Sequence, residues 1–86
     1  MDLSIIIPVY NKSKLINRCL DSIFKQTTIH SYEVVLVDDG STDDSVELIK
    51  ARTEGNIILY EQQNAGPSVA RNKGVELSNG KYCAYL

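Results

Sequence analysis

Residues 33–43, Glu-Val-Val-Leu-Val-Asp-Asp-Gly-Ser-Thr-Asp, decide the fold. Glu33 to Val37 is a short, nearly unbroken aliphatic run with no apolar–polar alternation. A strand reads this way when both of its faces are covered, as in a parallel sheet with helices above and below. The run stops at Asp38-Asp39-Gly40, where charge and a flexible residue arrive together, so the strand ends in a polar turn. Ser41, with Asp44 three residues on, has the pattern of a capping box. It predicts a helix whose apolar face is Val46, Leu48 and Ile49 and which Gly55 closes.

The same grammar extends both ways. Leu3 to Val9 is a second buried-strand run, and after the Tyr10-Asn11 turn the residues Leu15, Ile16, Cys19, Leu20, Ile23 and Phe24 line one face of a helix ending near Gln26. Asn11 or Ser13 is suited to cap its start. On the other side Ile57 to Tyr60 reads as a strand. Pro67 suits the first position of a helix, where its missing N–H costs nothing, and that helix runs to about Leu77. Ser78-Asn79-Gly80 ends it, and Tyr82 to Leu86 begins a fourth strand. Strand and helix alternate throughout, which predicts an α/β fold: a mainly parallel sheet with right-handed crossovers and helices on both faces, a Rossmann-like half.

Composition narrows the function. The chain has 86 residues, 43% hydrophobic and 23% charged, with a net charge of −2. That is an ordinary globular mixture, and neither disorder nor a coiled coil fits it. No apolar run approaches the roughly 20 residues that span a bilayer, and no basic segment precedes a long apolar stretch, so neither a membrane helix nor a signal peptide is expected and the chain reads as intracellular. The negative balance and the lack of a Lys/Arg block argue against a nucleic-acid surface. Cys19 and Cys83 match no metal spacing and read as buried free thiols in a reducing compartment. His30 stands alone in a polar connection and is given no role. The five glycines are isolated, so neither the dinucleotide fingerprint nor a P-loop can be assembled, which argues against dehydrogenases and ordinary ATPases. At this length only about 60 to 65% of the unfolded surface is buried, so marginal stability is expected.

In open parallel sheets ligands bind beyond the carboxyl ends of the strands. That rule selects Pro8 to Asn11, Asp38 to Ser41 and Glu61 to Gly66. At Asp38-Asp39 one carboxylate can accept from the N–H of a base while its neighbour holds the loop or a metal-linked water. A turn with a helix cap uses the same residue types, although a cap needs only one acid. Tyr10 can offer a ring face or a backbone carbonyl to a heterocycle, or simply pack over the helix end. Asn64-Ala65-Gly66-Pro67-Ser68 with Arg71 combines a glycine allowing close approach, a helix N-terminus that favours anions and a cation one turn in, a place suited to a diphosphate. Taken alone, Arg71 reads as a solvated helix residue and Gly66 as a simple turn.

Together, Ser4-Ile-Ile-Ile-Pro-Val-Tyr-Asn11, Cys19-Leu-Asp-Ser-Ile23 with Gln26, Val37-Asp-Asp-Gly-Ser-Thr-Asp43 and Gln63-Asn-Ala-Gly-Pro-Ser-Val-Ala-Arg-Asn-Lys-Gly74 resemble family 2 glycosyltransferases with the GT-A fold. The resemblance implies that residues 1–86 are the N-terminal nucleotide-sugar-binding part of such a domain, serving an inverting enzyme with a nucleoside-diphosphate sugar donor, usually a UDP-sugar. It implies that Pro8, Val9, Tyr10 and Asp39 meet the base, that Asp38 supports their loop, and that Asn64, Gly66 and Arg71 border the nucleotide. It further implies Mg2+ or Mn2+ on the donor diphosphate, held by an Asp-x-Asp motif that would begin just past Leu86, and an acidic general base further on. On that basis these 86 residues alone transfer no sugar. Cytoplasmic exposure is implied too, with membrane association through other parts and an acceptor that is a glycan, a lipid or another molecule. Two competing readings are a non-catalytic nucleotide-binding or interaction module of α/β class and a phosphoacceptor receiver domain, which also places acids at strand tips.

Overall fold

The computed structural model describes residues 2–26 and 31–86; His30 lies outside the described residues. Seven elements alternate along the chain: β1 (Leu3–Val9), α1 (Ile16–Gln26), β2 (Tyr32–Asp38), α2 (Ser45–Lys50), β3 (Ile57–Glu61), α3 (Pro67–Leu77) and β4 (Tyr82–Tyr85). The strands form one sheet in the order β3-β2-β1-β4, with every neighbouring pair parallel. This order runs 3-2-1-4, as in dinucleotide-binding sheets, whereas receiver-type sheets run 2-1-3-4.

Strand order explains the layers. From β1 to β2 to β3 the chain steps outward in one direction, then returns from β3 to the far side of β1. Right-handed crossovers taken in opposite directions put their helices on opposite faces. Alternate strand residues accordingly divide between two cores. Ile5, Ile7, Val9, Val34 and Leu36 pack with Ile16, Leu20 and Ile23 of α1 and Ile49 of α2. Ile6, Val35 and Val37 pack with Ala70 of α3. The second core is thin because α3 lies close to the sheet: a Cβ at Gly74 would collide with the Ile6 side chain. Burying the two β-branched layers supplies the main driving force, about 1.5–3 kcal/mol for each fully buried Val, Ile or Leu.

Several local expectations are corrected. Ser41 caps nothing: its hydroxyl and N–H both turn back to the Asp38 carboxylate, at 2.5 and 3.0 Å, and Asp44, the N-cap of α2, makes no side-chain cap bond. A buried carboxylate three residues upstream outcompetes the free helix end for the hydroxyl. Helix α2 stops at Lys50, with Ala51 still helical, so Gly55 does not close it. Neither Asn11 nor Ser13 caps α1; their polar groups are engaged with residues 41–43. Leu15 lies in the turn ahead of α1 and is 54% exposed. Cys83 is exposed rather than buried, because β4 is an edge strand whose residues are all exposed. Cys19 is half-buried against the α1–α2 core, and burial pushes its thiol pKa up. Among the described residues no helix is long and apolar enough to cross a membrane.

Candidate functional site

The order in which strands are added reverses between β1 and β4, so the crevice rule points to the carboxyl end of β1. Parallel pairing persists to the strand tips there: the Asp39 N–H donates to the Val9 carbonyl at 2.8 Å, and the Gln62 N–H to the Asp38 carbonyl at 2.8 Å. Asp39, the first residue past β2, is thereby held between the ends of β1 and β3, with 5% of its surface exposed.

Its carboxylate organises the loop from β3 to α3. Oδ1 accepts from Gln62 Nε2 at 2.9 Å and from the Ala65 N–H at 2.8 Å. Oδ2 accepts from the Gly66 N–H at 3.1 Å and from Asn64 Nδ2 at 3.3 Å. Four donors fill the roughly four acceptor sites of a carboxylate. The Gln62 amide and the Ala65 N–H, and more weakly the Gly66 N–H, hold the Asp39 pKa below its ordinary value against the upward push of burial. Gly66 aims its N–H here from φ 99 and ψ 161, backbone that side-chain residues avoid, and Pro67 opens the helix directly after it.

Around this knot lies an open hollow of about 470 Å³. From the β1 side it is lined by Pro8, Val9, Tyr10 and Lys12, from β2 by Asp39, from the α3 side by Asn64, Gly66, Pro67 and Arg71, and past β4 by Leu86. Tyr10, Asp39 and Arg71, which the sequence places 61 positions apart, thus share one cavity. Tyr10 is 47% exposed and lines the hollow. Val9 is 0% exposed and its side chain belongs to the core, so it supports the floor rather than offering a polar contact. Asp38 is not among the lining residues; it is buried and tied to Ser41.

Sequence reasoning missed Lys12 and Leu86, and it selected the segment that holds Gln62 without giving that residue a role. Lys12 was legible as a cation in the β1 tip loop, but a lone surface lysine carries no signal of its own. The role of Gln62 arises only when β3 pairs with β2. Among the described residues neither Lys12 nor Arg71 takes part in a salt bridge. Asp39 keeps its charge, but Lys12 and Arg71 outnumber it among the lining residues, so the hollow has a local positive balance although the whole chain carries −2. The described residues contain no group of three or more His, Cys, Asp or Glu able to hold a metal ion.

A parallel α/β frame with its hollow at the switch point is the class these features define. Within that class the chain belongs to glycosyl transferase family 2, whose family model matches residues 4–86. It is 44% identical over 86 residues to the uncharacterized glycosyltransferase YibD of Escherichia coli K12, covering 98% of this chain and 25% of that protein. It superposes on the crystal structure of Staphylococcus aureus TarS residues 1–349 in complex with UDP-GlcNAc with a TM-score of 0.91 at 33% identity, over 100% of this chain and 26% of that one. It also superposes on the mannosyltransferase PcManGT of Pyrobaculum calidifontis in complex with GDP-Man and Mn2+, with a TM-score of 0.84 at 30% identity over 92% of this chain and 25% of that one. The fold is the Rossmann-like part of a GT-A fold, and the chain spans about a quarter of the length of these relatives.

Proposed function

We propose that residues 1–86 form the donor-binding part of an inverting glycosyltransferase that uses a nucleoside-diphosphate sugar, with a UDP-sugar as the donor. The observation that carries this is the convergence of Tyr10, Asp39, Lys12 and Arg71 on one hollow at the strand tips. A flat ring in its lining suits a planar base, and two unpaired cations near a helix start suit phosphate oxygens. The complexes of two relatives with UDP-GlcNAc and GDP-Man support a nucleotide-sugar donor.

In this reading the base N–H donates to Asp39. The carboxylate is already full, so the base displaces its longest bond, from Asn64 Nδ2 at 3.3 Å. Asn64 loses little, because the same Nδ2 also donates to the Asp39 carbonyl at 3.1 Å. A divalent ion on the diphosphate, supported by the Mn2+ complex of one relative, is held in the whole enzyme by residues other than these. When bound it neutralises the leaving diphosphate; the general base that deprotonates the acceptor likewise lies elsewhere. Residues 1–86 alone therefore bind the donor and do not transfer its sugar. In the whole protein the domain works from the cytoplasm, and the acceptor site, with any membrane contact, belongs to other parts.

Calorimetric titration of the 86-residue chain with UDP, beside an assay of UDP-sugar turnover, tests both halves. Binding without turnover is the expected result, and Arg71→Ala should weaken UDP about five- to tenfold. A folded chain that gives no heat with UDP overturns the donor-site reading, and turnover by the short chain overturns the division of labour.

A further inference from the structure

Asn11 is the one non-glycine residue with positive φ among the described residues, at φ 50. Asparagine tolerates this region better than most side chains, but it is adopted only where the surroundings require it. Here they do. Its Oδ1 accepts from the N–H of Thr42 at 2.8 Å, the N–H of Asp43 at 3.3 Å and the Thr42 hydroxyl at 3.3 Å. Its own N–H donates to Ser41 Oγ at 2.9 Å, and that hydroxyl donates in turn to Asp38 Oδ1 at 2.5 Å. The next two N–H groups follow suit: Lys12 donates to Ser45 Oγ at 2.8 Å and Ser13 to Asp43 Oδ2 at 3.1 Å. Three consecutive amides of the β1–α1 loop, and the amide oxygen of Asn11, are thus all committed to the loop between β2 and α2 and to the first residue of α2.

The residues flanking Asn11 are Tyr10 and Lys12, both at the hollow, whereas Asn11 itself is not among its lining residues. A left-handed residue between them reverses the chain locally and decides where both side chains point. We infer that Asn11 is a positioning residue of the nucleotide site: its clasp on residues 41–43 holds Tyr10 and Lys12 against the base and phosphates of a nucleoside diphosphate. This rests on the donor-site reading for its ligand, but the clasp exists without one.

The test compares wild type with Asn11→Gly, which keeps the backbone freedom and removes the amide oxygen, and Asn11→Asp, which keeps an acceptor there. Amide hydrogen exchange without ligand should show Asn11, Lys12 and Ser13 protected in wild type and exchanging at least tenfold faster in Asn11→Gly, while core amides of β1 and β2 stay unchanged. With UDP as probe, Asn11→Gly should bind about five- to tenfold more weakly and lose the nuclear Overhauser contact between the uracil protons and the Tyr10 ring, and Asn11→Asp should recover most of both. If wild type gives no heat with UDP, the donor-site reading fails, and unchanged exchange at residues 11–13 in Asn11→Gly then overturns the clasp as well. UDP binding by Asn11→Gly within twofold of wild type overturns the positioning role. So does equal loss in both variants accompanied by faster exchange throughout the core.

Discussion

The two ends of the sheet use the same device and reach different results. At the amino end, Glu33 on β2 is 2% exposed. Its Oε2 accepts the Ser4 hydroxyl at 2.6 Å and the Asn79 N–H at 2.5 Å, its Oε1 accepts from Asn79 Nδ2 at 3.2 Å, and Ser4 Oγ in turn accepts the Gly80 N–H at 2.8 Å. At the carboxyl end, Ser41 relays the Asn11 N–H to Asp38 and Ser45 relays the Lys12 N–H to Asp43, by the same arrangement of amide to hydroxyl to carboxylate. At the amino end the approach is so close that a Cβ on Gly80 would lie 2.5 Å from the Ser4 nitrogen, leaving no room for a ligand. At the carboxyl end the loops are held apart around a hollow with two cations among its lining residues. A buried carboxylate that gathers loop amides is therefore not itself a mark of function. What separates the two ends is whether the gathered loops leave space and unpaired charge.

The sharpest way to break that contrast is to remove each carboxylate. Glu33→Ala strands the fully buried Ser4 hydroxyl and unties the exposed Asn79 from the sheet, at a cost of about 2–3 kcal/mol. In a chain of this size that is a fall in Tm on the order of 10–20 °C. Glu33→Gln, which keeps the shape, should lose about half as much. The affinity of the folded fraction for UDP should stay within about twofold. A Glu33→Ala melting curve superimposable on wild type would show that the amino end needs no latch. Asp39→Ala should reverse the balance: a smaller loss of stability, about 1–2 kcal/mol, because the freed amides of residues 62–66 face solvent, and a loss of UDP affinity of about tenfold or more. Unchanged UDP binding on that substitution removes Asp39 from the site and leaves it a loop holder like Glu33.

How much of this was legible follows from the range of the interactions. The strands were readable because a run covered on both faces carries its pattern within a few residues, and the position of the hollow followed from the topology those strands imply. Partnerships between side chains distant in sequence were not. Glu33 reads as the polar first residue of a strand, and Ser78-Asn79-Gly80 as a helix stop. That the stop docks on Glu33, 46 positions away, depends on β4 lying beside β1. Ser41 misled for a related reason, since the capping-box pattern describes a free helix start and Asp38 was nearer. Lys12 escaped notice because its value lies in sharing with Arg71 a cavity that no local pattern encodes. Cys83 was misplaced because a buried edge cannot be told from an open one within a five-residue strand.

The smallest expected effect separates the two ends by pH. Asp43 is held down to about 2, chiefly by the Ser45 hydroxyl and against burial, with the N–H groups of Ser45 and Ser13 adding to it. Burial pushes Glu33 up, but the donors from Asn79, Ser4 and Gly80 outweigh it and leave its pKa below the ordinary value. A carboxylate whose folded pKa is depressed adds stability that is fully present above its unfolded pKa and is lost as pH falls through the folded one. For Asp43 that window runs from 3.8 down to about 2. Urea midpoints of the ligand-free chain between pH 6 and pH 2 should therefore fall less steeply in Asp43→Asn than in wild type, the two curves converging near the acid end. Glu33→Gln should flatten the profile as well, but without disturbing amide exchange at residues 11–13, which Asp43→Asn should accelerate through the lost Ser13 and Ser45 bonds. Parallel pH profiles for wild type and Asp43→Asn would mean that the carboxyl-end clasp holds equally well with Asp43 protonated, leaving the Asn11 amide oxygen as its working part.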